Sequence, residues 1–197
     1  MENIIIFASN NLGKIKEVQE ILKDYHILSQ SEARIDIDVV EDGNTFSENA
    51  IKKATEISQI SGKPCIADDS GLCVDFLDGF PGVKTKRFLG DEANDTDRNT
   101  YLLNQLRSVP LENRTVHFIC AIAFAMPNGE TYTFEESLDG FLATSRRGNN
   151  GFGFDEIFEL PNGKTLAELS TKEKLEISSR RMALEKLKDF LVTFKGE

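Results

Sequence analysis

Stretches with the two-residue period of a β-strand alternate along this chain with stretches that have the period of a helix. The apolar run 3–8 leads into the turn 10–13, after which apolar residues recur at helical spacing from Ile15 to Leu22. No repeat, low-complexity tract or Pro/Ser-rich linker interrupts the alternation. The pattern predicts an α/β or mixed α+β fold with one domain over residues 1–197.

Capping residues mark the beginnings of further helices. Thr45 and Glu48 form a capping box, which predicts a second helix with apolar residues every three or four positions. A third helix is predicted between residues 92 and 106. Ser170 and Glu173 form another capping box, which predicts one long final helix.

The remaining apolar runs predict the strands. Strands are predicted at 64–67, 72–76, 115–126, 130–136 and 140–144. Turns or loops are predicted at 127–129, 146–154 and 161–163, because these segments are rich in Gly, Asn or Pro. The turn Pro127-Asn128-Gly129 joins the two strands beside it into a hairpin.

The balance of charges limits the partners that a chain of this kind can bind. It has 33 acidic residues against 23 basic ones, which gives a formal net charge of −10. Nucleic acid and anionic membranes both require a broad basic surface, so neither is an expected partner. A local basic cleft remains compatible with this charge. The longest apolar run, 116–126, is too short to span a bilayer.

The cysteines and the first residues bear on the compartment. Cys65, Cys73 and Cys120 show no metal-binding spacing and lie mostly within apolar runs, which predicts buried free thiols in a reducing environment. Residues 1–8 lack the features of a signal peptide. A cytoplasmic location is therefore expected.

The first candidate binding segment is Ser9-Asn10-Asn11-Leu12-Gly13-Lys14, between a predicted strand and a predicted helix. The first turn of a helix offers unpaired N–H groups and the positive end of the helix dipole, which attract phosphate. Lys14 adds a full charge, and Gly13 lets the backbone approach a ligand. The segment is not a Walker A loop, because the first Gly is absent and Ile15 replaces the Ser or Thr that holds magnesium. The alternative is an ordinary Asn/Gly turn with a solvated lysine.

The second candidate is the acidic pair Asp68-Asp69, followed by Ser70-Gly71 at the predicted end of a strand. Carboxylates at a strand end are usual ligands of Mg²⁺, which keeps several waters and bridges to substrate phosphates. One of the two can also take a proton from an attacking water. The alternative is an Asx turn in which the side chains satisfy backbone donors.

The third candidate surrounds the start of the second helix. Glu41 precedes it, and Asn49 and Lys53 stand one turn apart on it. Glu41 would join a metal site and Lys53 would reach a phosphate. The alternative is that an acid near a helix start and a solvated lysine need no ligand.

Two further candidates lie near the end of the chain. Gly151-Phe152-Gly153-Phe154-Asp155 places two aromatic rings in a glycine-flanked loop, where Phe152 or Phe154 would stack on a base and Asp155 would accept from its ring N–H. The alternative for the rings is the hydrophobic core. The polar residues early in the predicted final helix either contact a purine or are solvated: Lys174, Ser178, Ser179, Arg180 and Arg181.

Other chemistry finds little support in the sequence. His26 and His117 stand near no Ser or Cys in a recognisable catalytic spacing, and His117 lies in a strand-like core run, so both are interpreted as structural. The chain has neither a zinc-binding pattern nor a dinucleotide-binding glycine motif.

Taken in order, these segments resemble the inosine/xanthosine triphosphate pyrophosphatase family, and the match runs almost end to end. It is carried by five motifs: Ser9-x-Asn11-x-x-Lys14; Glu41-x-Gly43-x-Thr45-Phe46-x-Glu48-Asn49-Ala50; Ala67-Asp68-Asp69-Ser70-Gly71-Leu72 with Gly79-x-Pro81-Gly82; Gly151-Phe152-Gly153-Phe154-Asp155; and Lys174 to Arg180.

The resemblance implies an elongated mixed α/β fold with a central sheet flanked by helices, two lobes around a substrate cleft, and a homodimer. It implies magnesium-dependent attack of water at the α-phosphate of a purine nucleoside triphosphate.

The resemblance also implies residue roles. Asp69 would be the general base and, with Glu41, would hold Mg²⁺. The groups that would contact the triphosphate are Ser9, Asn10, Asn11, Leu12, Gly13, Lys14, Lys53 and Ser70, and Asp68 would also bind the substrate. The groups that would contact the base and sugar are Phe152, Gly153, Phe154, Asp155, Lys174, Ser179 and Arg180.

The chain departs from the family pattern at three positions. The family usually has Ser-His-Arg where this chain has Ser178-Ser179-Arg180, and serine is shorter and always neutral. Phe154 replaces the usual Tyr or Trp, and Glu156 replaces the usual Pro. Arg181 would compensate for the missing histidine. The departures concern base recognition and leave the hydrolytic residues intact.

Three functions follow as alternatives. The first is hydrolysis of inosine and xanthosine triphosphates and their deoxy forms; the second is the same chemistry with relaxed base selectivity, including GTP; the third is a non-catalytic purine-nucleotide-binding protein. Each requires the cations to meet, so Lys14, Lys53, Lys174 and Arg180 are expected to face one pocket.

Overall fold

The computed structural model describes residues 4–90 and 92–194, and it confirms the mixed α/β class. In chain order the elements are β1 (Ile4–Phe7), α1 (Leu12–Ile21), β2 (His26–Ser29), α2 (Phe46–Ser61), β3 (Cys65–Val74), α3 (Asp95–Gln105), β4 (Thr115–Ala125), β5 (Thr131–Leu142), β6 (Phe158–Glu159), α4 (Thr171–Glu176) and α5 (Ser179–Thr193). Short 3₁₀ turns lie at Asp75–Leu77, Gly82–Lys84, Leu111–Asn113 and Leu166–Glu168. Asn3, where the first strand was predicted to begin, lies outside the described residues.

The strands form one mixed sheet in the order β2-β1-β3-β4-β5-β6. β1 pairs in parallel with both β2 and β3, whereas β5 and β6 are antiparallel. β2 and β6 were not predicted, because runs of four and two residues are too short to show a period.

The described residues divide into two compact units, and β3, β4 and β5 contribute to both. The first unit comprises 4–69, 120–136 and 179–194; the second comprises 70–90, 92–119 and 137–178.

In the first unit, α1 and α5 bury apolar side chains in a common cluster. Val18 and Ile21 of α1 contribute to it, together with Leu184 and Leu187 of α5. Helix α2 begins after Thr45, whose side chain accepts from the N–H of Glu48, as predicted. The Glu48 carboxylate, however, accepts from Asn44 N–H rather than closing the box on Thr45. The predicted apolar stripe of α2 is buried: Phe46, Ala50, Ala54 and Ile57.

In the second unit, a separate hydrophobic cluster includes Leu72 and Val74 of β3, Leu102 of α3 and Phe158 of β6. Helix α3 lies within its predicted limits and begins with a complete capping box between Asn94 and Asp97. The two clusters share no residue, so each unit has its own apolar core.

The segment Asp68–Gly71 is not a turn but the middle of a strand, and the prediction of two strands around it was wrong. β3 runs without a break from Cys65 to Val74. Asp, Ser and Gly are poor strand formers, yet β3 is an internal strand of the sheet, between β1 and β4, and this tertiary context outweighs local propensity. Phe76, predicted to continue the alternation, lies in a 3₁₀ turn and is 54% exposed.

The prediction of separate strands at 130–136 and 140–144 was also wrong, because β5 is continuous from Thr131 to Leu142. Gly140 lies inside it at a point where a Cβ would come within 2.6 Å of the Phe158 ring. The glycine therefore marks a close approach between β5 and β6 rather than a break.

The predicted single final helix is two helices. The Ser170–Glu173 capping box opens α4 as predicted, but α4 ends at Glu176 and α5 begins at Ser179. Ile177 belongs to the hydrophobic cluster of the second unit, whereas Ala183 belongs to that of the first. The break lies where the chain passes from one unit to the other, and the local pattern of Ser178-Ser179 did not reveal it.

Two of the three cysteines are buried free thiols as predicted, while Cys73 is half-buried. Burial raises the pKa of the Cys120 thiol to about 12. None of the helices in the described part of the chain is both long enough and apolar enough to cross a bilayer.

His117 is not a core residue, contrary to the sequence interpretation. Its ring on β4 is half-buried, with Nδ1 2.8 Å from Asp139 Oδ1 and Nε2 3.1 Å from Asp75 Oδ2. Both nitrogens thus face oxygens that only accept hydrogen bonds, an arrangement that suits the doubly protonated ring. The bonds to Asp139 and Asp75 raise the pKa of His117, against the opposing effect of partial burial.

We expect His117→Gln to reduce thermal stability most at mildly acidic pH. Because the pKa of His117 is raised in the folded protein, the charged ring contributes fully to the free energy of unfolding below about pH 6.5. This contribution is lost as the pH rises through the pKa of His117 in the folded state. The pKa values of Asp75 and Asp139 are lowered, through hydrogen bonds from Thr115 and His117 respectively, so their contribution is lost at low pH instead. The difference in Tm between wild type and variant should therefore shrink from about pH 6 to about pH 8. A difference that does not change over this range would contradict the charged pairing.

Candidate functional site

A buried carboxylate in β3 is the centre of the candidate site in the first unit. The side chain of Asp68 is 2% exposed. Its Oδ2 accepts a hydrogen bond of 2.7 Å from Lys14 Nζ and lies 3.1 Å from both Nε and Nη2 of Arg180. The main-chain carbonyl of the same residue accepts from Lys53 Nζ at 2.6 Å. Three of the four basic groups that were expected to meet therefore do so at Asp68.

Electrostatics keep this centre ionised. Burial alone would raise the pKa of Asp68, but the charges of Lys14, Arg180 and Lys53 outweigh it and hold that pKa far below its usual range. Burial likewise opposes the charge of Arg180, yet the Asp68 carboxylate raises the pKa of the guanidinium. Asp68 was predicted to contact substrate; in the structure its Oδ2 holds two cations in place.

Each of these cations has a carboxylate partner. Lys53 Nζ donates to Glu41, and Arg180 Nη1 lies 3.5 Å from Oε2 of Glu17 on α1. Together with Asp68 and Asp69, the three cations and four carboxylates give a formal charge of 3 − 4 = −1. The site is thus charge-balanced rather than basic.

The loop between β1 and α1 is an N-capped helix start. The side-chain oxygen of Asn11 accepts from Gly13 N at 3.0 Å and from Lys14 N at 3.1 Å. Ser9 Oγ accepts from Asn11 N, and Asn10 Oδ1 accepts from the N–H and hydroxyl of Ser31. The Asn/Gly turn predicted as the alternative therefore describes the loop geometry. Its lysine, however, is paired with Asp68 and not solvated.

Asn49 positions Asp69. The amide of Asn49 is fully buried on α2; its Nδ2 donates to Asp69 Oδ2 at 2.9 Å, while its oxygen accepts from Gly43 N at 2.8 Å. A Cβ at Gly43 would lie 2.8 Å from that same oxygen, so only glycine fits there. Successive residues of a strand point to opposite faces, and Asp68 and Asp69 accordingly have different partners.

In the second unit, Asp155 organises the glycine-flanked loop. Its buried carboxylate accepts from Phe152 N at 2.8 Å and from Lys174 Nζ. Gly151 has a φ of 82°, and a Cβ there would lie 2.0 Å from Asp155 Oδ2. The loop therefore closes around the carboxylate only because glycine occupies this position.

The two phenylalanines of this loop have different environments. Phe154 is buried and stacks on Phe88, with ring centroids 6.3 Å apart, as the core alternative predicts. Phe152 is 76% exposed, and Lys174 Nζ lies 4.6 Å from the centroid of its ring. Of the two rings, Phe152 is the one available to stack on a ligand.

The remaining predicted residues divide between the units. The first unit contains Leu12, which is exposed, and Ser179, which is buried at the start of α5. Ser70 belongs to the second unit, as does Lys174, so the fourth basic group is paired with Asp155 and not with Asp68. Arg181, considered as a substitute for the missing histidine, lies 3.6 Å from Glu185 one turn along α5.

Sequence reasoning missed several residues of these networks. Glu17 is a buried acid on the apolar face of α1, and its position four residues before Ile21 was the available signal. Asp95 and Asn99 of α3 hold the main chain of Gly153, through a 2.7 Å bond to its N–H and a 2.9 Å bond from Asn99 Nδ2 to its carbonyl. No sequence signal connects positions so far apart.

In the described ranges, no cluster of three or more His, Cys, Asp or Glu side chains is suited to bind a metal ion. Protein side chains there would therefore supply only some of the ligands of a metal. The predicted ligands Glu41 and Asp69 are two carboxylates. Mg²⁺ typically takes one or two protein carboxylates and completes its shell with water and substrate phosphates. The donor set therefore fits a cation that arrives with a phosphate ligand.

A mixed sheet and its helices that bring together two ion-paired lysines, an arginine and several carboxylates define an α/β protein with a site suited to a phosphate-bearing ligand. The profile of the Ham1 family matches residues 5–190, and the chain belongs to this family.

The most informative relatives agree with this membership. A protein of Clostridium perfringens named dITP/XTP pyrophosphatase is 47% identical over 195 residues, covering 94% of this chain and 96% of its own. The solved structure of the Staphylococcus aureus Ham1 protein has a TM-score of 0.91 and 41% identity, covering 98% of this chain and 100% of its own. A solved dITP/XTP pyrophosphatase from Mycobacterium abscessus has a TM-score of 0.81 and 38% identity, covering 93% and 98%. The family resemblance found in the motifs is confirmed.

We expect Asp68→Asn to destabilise the protein strongly, because it leaves Lys14 and the buried Arg180 without their shared anion. The loss of one member of a buried ion pair costs about 3 kcal/mol or more. Urea unfolding would measure the change in the free energy of unfolding. The matched control is Asp42→Asn, whose ion pair with Lys52 is exposed and should contribute far less to the free energy of unfolding. Equal losses in the two variants would contradict a central role for Asp68.

Proposed function

We propose that this protein hydrolyses deaminated purine nucleoside triphosphates, namely ITP, dITP and XTP, to the nucleoside monophosphate and pyrophosphate. The observation that carries the proposal is the Asn49-oriented carboxylate of Asp69, next in the chain to Asp68, whose carboxylate binds two cations and whose main-chain carbonyl binds a third. The family membership supports it, since relatives at 38–47% identity are named dITP/XTP pyrophosphatases.

In this proposal Asp69 is the general base. Its carboxylate would accept a proton from the water that attacks the α-phosphorus, and the hydrogen bond from Asn49 would keep it in one orientation. Lys14 and Lys53 would hold oxygens of the triphosphate, since each has a flexible ammonium with several donors. Ser9, Ser70 and the α1 loop would add neutral contacts.

Glu41 and Asp69 would hold a magnesium ion, which when bound supplies charge neutralisation at the phosphates. The formal charge of −1 supports a requirement for a cation, because the basic groups are already matched by carboxylates. Glu41 is partnered by Lys53 in this structure, and release of that contact would make both groups available to the phosphates and the metal.

The residues proposed for the base and sugar lie in both units. In the second unit, exposed Phe152 would stack on the purine, and Asp155 would accept from its ring N–H. Lys174, which already touches both of these residues, would keep the ring and carboxylate in place. In the first unit, Ser179 and Arg180 would contribute at the start of α5.

The proposal includes the location of the protein, its oligomeric state and its domain organisation. A cytoplasmic location is supported by three cysteines that form no disulfide, which suit a reducing compartment. A homodimer is supported by the family resemblance alone. One functional domain is supported by the three strands that contribute to both compact units.

We expect Asp69→Asn to reduce turnover far more than binding. With Mg²⁺ present, wild-type protein should release pyrophosphate rapidly from ITP and XTP and slowly from ATP. The variant should be slower by about a hundredfold or more, because the amide cannot accept the proton. Its ITP affinity, measured by equilibrium binding, should fall much less than its turnover, and Asp42→Asn is the control for loss of an acidic charge. Tight ITP binding by wild type without pyrophosphate release would instead favour a non-catalytic nucleotide-binding protein.

We expect Ser179→His to sharpen base selection. A ring nitrogen at this buried position would add a directed hydrogen bond that serine is too short to make, and the ratio of kcat/KM for ITP to that for GTP should rise about tenfold. Ser178→His is the neighbouring control, and thermal unfolding checks that either ring is accommodated. An unchanged ratio would show that position 179 does not select the base. Equal wild-type rates with ITP and GTP would favour the enzyme with relaxed selectivity.

A further inference from the structure

The second unit contains a cavity that shares no residue with the candidate site. Its volume is about 440 Å³, which lies within the range of small-molecule sites. It is lined in part by the end of α3 and the segment that follows, and by residues 144–146 after β5. None of the motifs that carry the family resemblance contributes to it.

The lining of this cavity is basic in an acidic protein. Three arginines contribute, Arg107, Arg114 and Arg146, together with the hydroxyls of Thr144 and Ser145. Among the residues that the structure describes, no Asp or Glu lines the cavity, although acids outnumber bases by ten in the whole chain. Arginine forks and hydroxyl donors together form the donor set typical of phosphate recognition.

Arg114 is a buried cation whose hydrogen bonds all go to neutral groups. Its side chain donates to three main-chain carbonyls, those of Leu142 at 2.6 Å, Leu106 at 2.5 Å and Ala143 at 2.6 Å. Within the described ranges no carboxylate is among its hydrogen-bond partners, and Glu159, which acts on it from farther away, is bonded to Arg147. Burial lowers the pKa of Arg114, as expected for a charge without a close anion. An anion in the adjoining cavity would offset this cost.

The other two arginines are accessible. Arg107 is exposed, and the described part of the chain offers no partner for its guanidinium. Arg146 bonds to Glu156 through Nε at 2.5 Å, and its side chain is 38% exposed. A guanidinium has five N–H donors in a planar fork, so both side chains have donors left for a ligand.

We propose that this cavity binds a small anion through a phosphate group. Arg107 and Arg146 supply the accessible donors, the hydroxyls of Thr144 and Ser145 supply neutral ones, and Arg114 supplies a fixed positive charge. The ligand is either free inorganic phosphate or pyrophosphate, or the phosphate of a small nucleotide, since these share the chemistry that the lining recognises. The proposal is independent of the proposed hydrolysis.

The test compares two double variants by isothermal titration calorimetry without divalent metal. Arg107→Gln/Arg146→Gln removes two charges from the cavity, and Lys23→Gln/Lys63→Gln removes two exposed charges from the first unit. The probes are inorganic phosphate, pyrophosphate and IMP. We expect the arginine variant to lose one binding event, or to bind at least about tenfold more weakly, while the lysine variant binds as wild type does. Identical binding by the two variants would overturn the proposal.

Two further measurements distinguish binding in this cavity from binding at the candidate site. Lys53→Gln, which alters the candidate site, should retain the arginine-dependent event, and pyrophosphate release from ITP by the arginine variant should stay at the wild-type rate. Arg107→Gln alone breaks no ion pair among the described residues, and it should also weaken anion binding, as the double arginine variant does. Tighter binding of IMP than of inorganic phosphate would identify a nucleotide as the ligand, and equal affinities would identify the free anion. If Lys53→Gln abolished all binding, the cavity would not be an anion site.

Discussion

The buried carboxylate of Asp68 is the interaction on which the arrangement of the first unit depends. It joins β3 to Lys14 at the start of α1 and to Arg180 at the start of α5, and its carbonyl holds Lys53 of α2. None of these groups can move independently, because separation would leave a charge in a poorly solvated place. The strand then requires that Asp69, one residue later, points elsewhere. A structural ion cluster thus fixes the direction of the carboxylate that we assign to catalysis.

Features with local causes could be predicted from the sequence. Thr45 caps α2, Ser170 caps α4, and the apolar stripe of α2 is buried, because each depends on residues within a turn or two. The errors have distant causes. Asp68–Gly71 has the composition of a turn, but it lies within an internal strand of the sheet. The pattern from Thr171 to Phe194 suits one helix, but its two halves pack in different hydrophobic clusters.

The candidate site shows the same division. The motifs named Lys14, Asp68 and Arg180, but not that they bind one another, since 54 positions separate the first two and 112 the last two. Asn49 was noticed only as a neighbour of Lys53, and its role became visible when its amide was found between Gly43 and Asp69. Phe154 illustrates the opposite case, in which a residue of a binding motif is a core residue.

The positions of the charged side chains change how the net negative charge of the chain relates to ligand binding. A net charge of −10 would suit an anion-binding protein if its cations were collected without partners in one site, yet Lys14, Lys53 and Arg180 each have a carboxylate. A charge-balanced site of this kind gains little by attracting an anion from a distance. The site suits instead a triphosphate that arrives with a divalent cation, because the cation reduces the negative charge of the triphosphate before it is bound. Glu41 and Asp69 would then be ligands of the cation, and they would not repel the phosphates. Long nucleic acid has no such compensation, because its binding depends on basic side chains that replace its counterions.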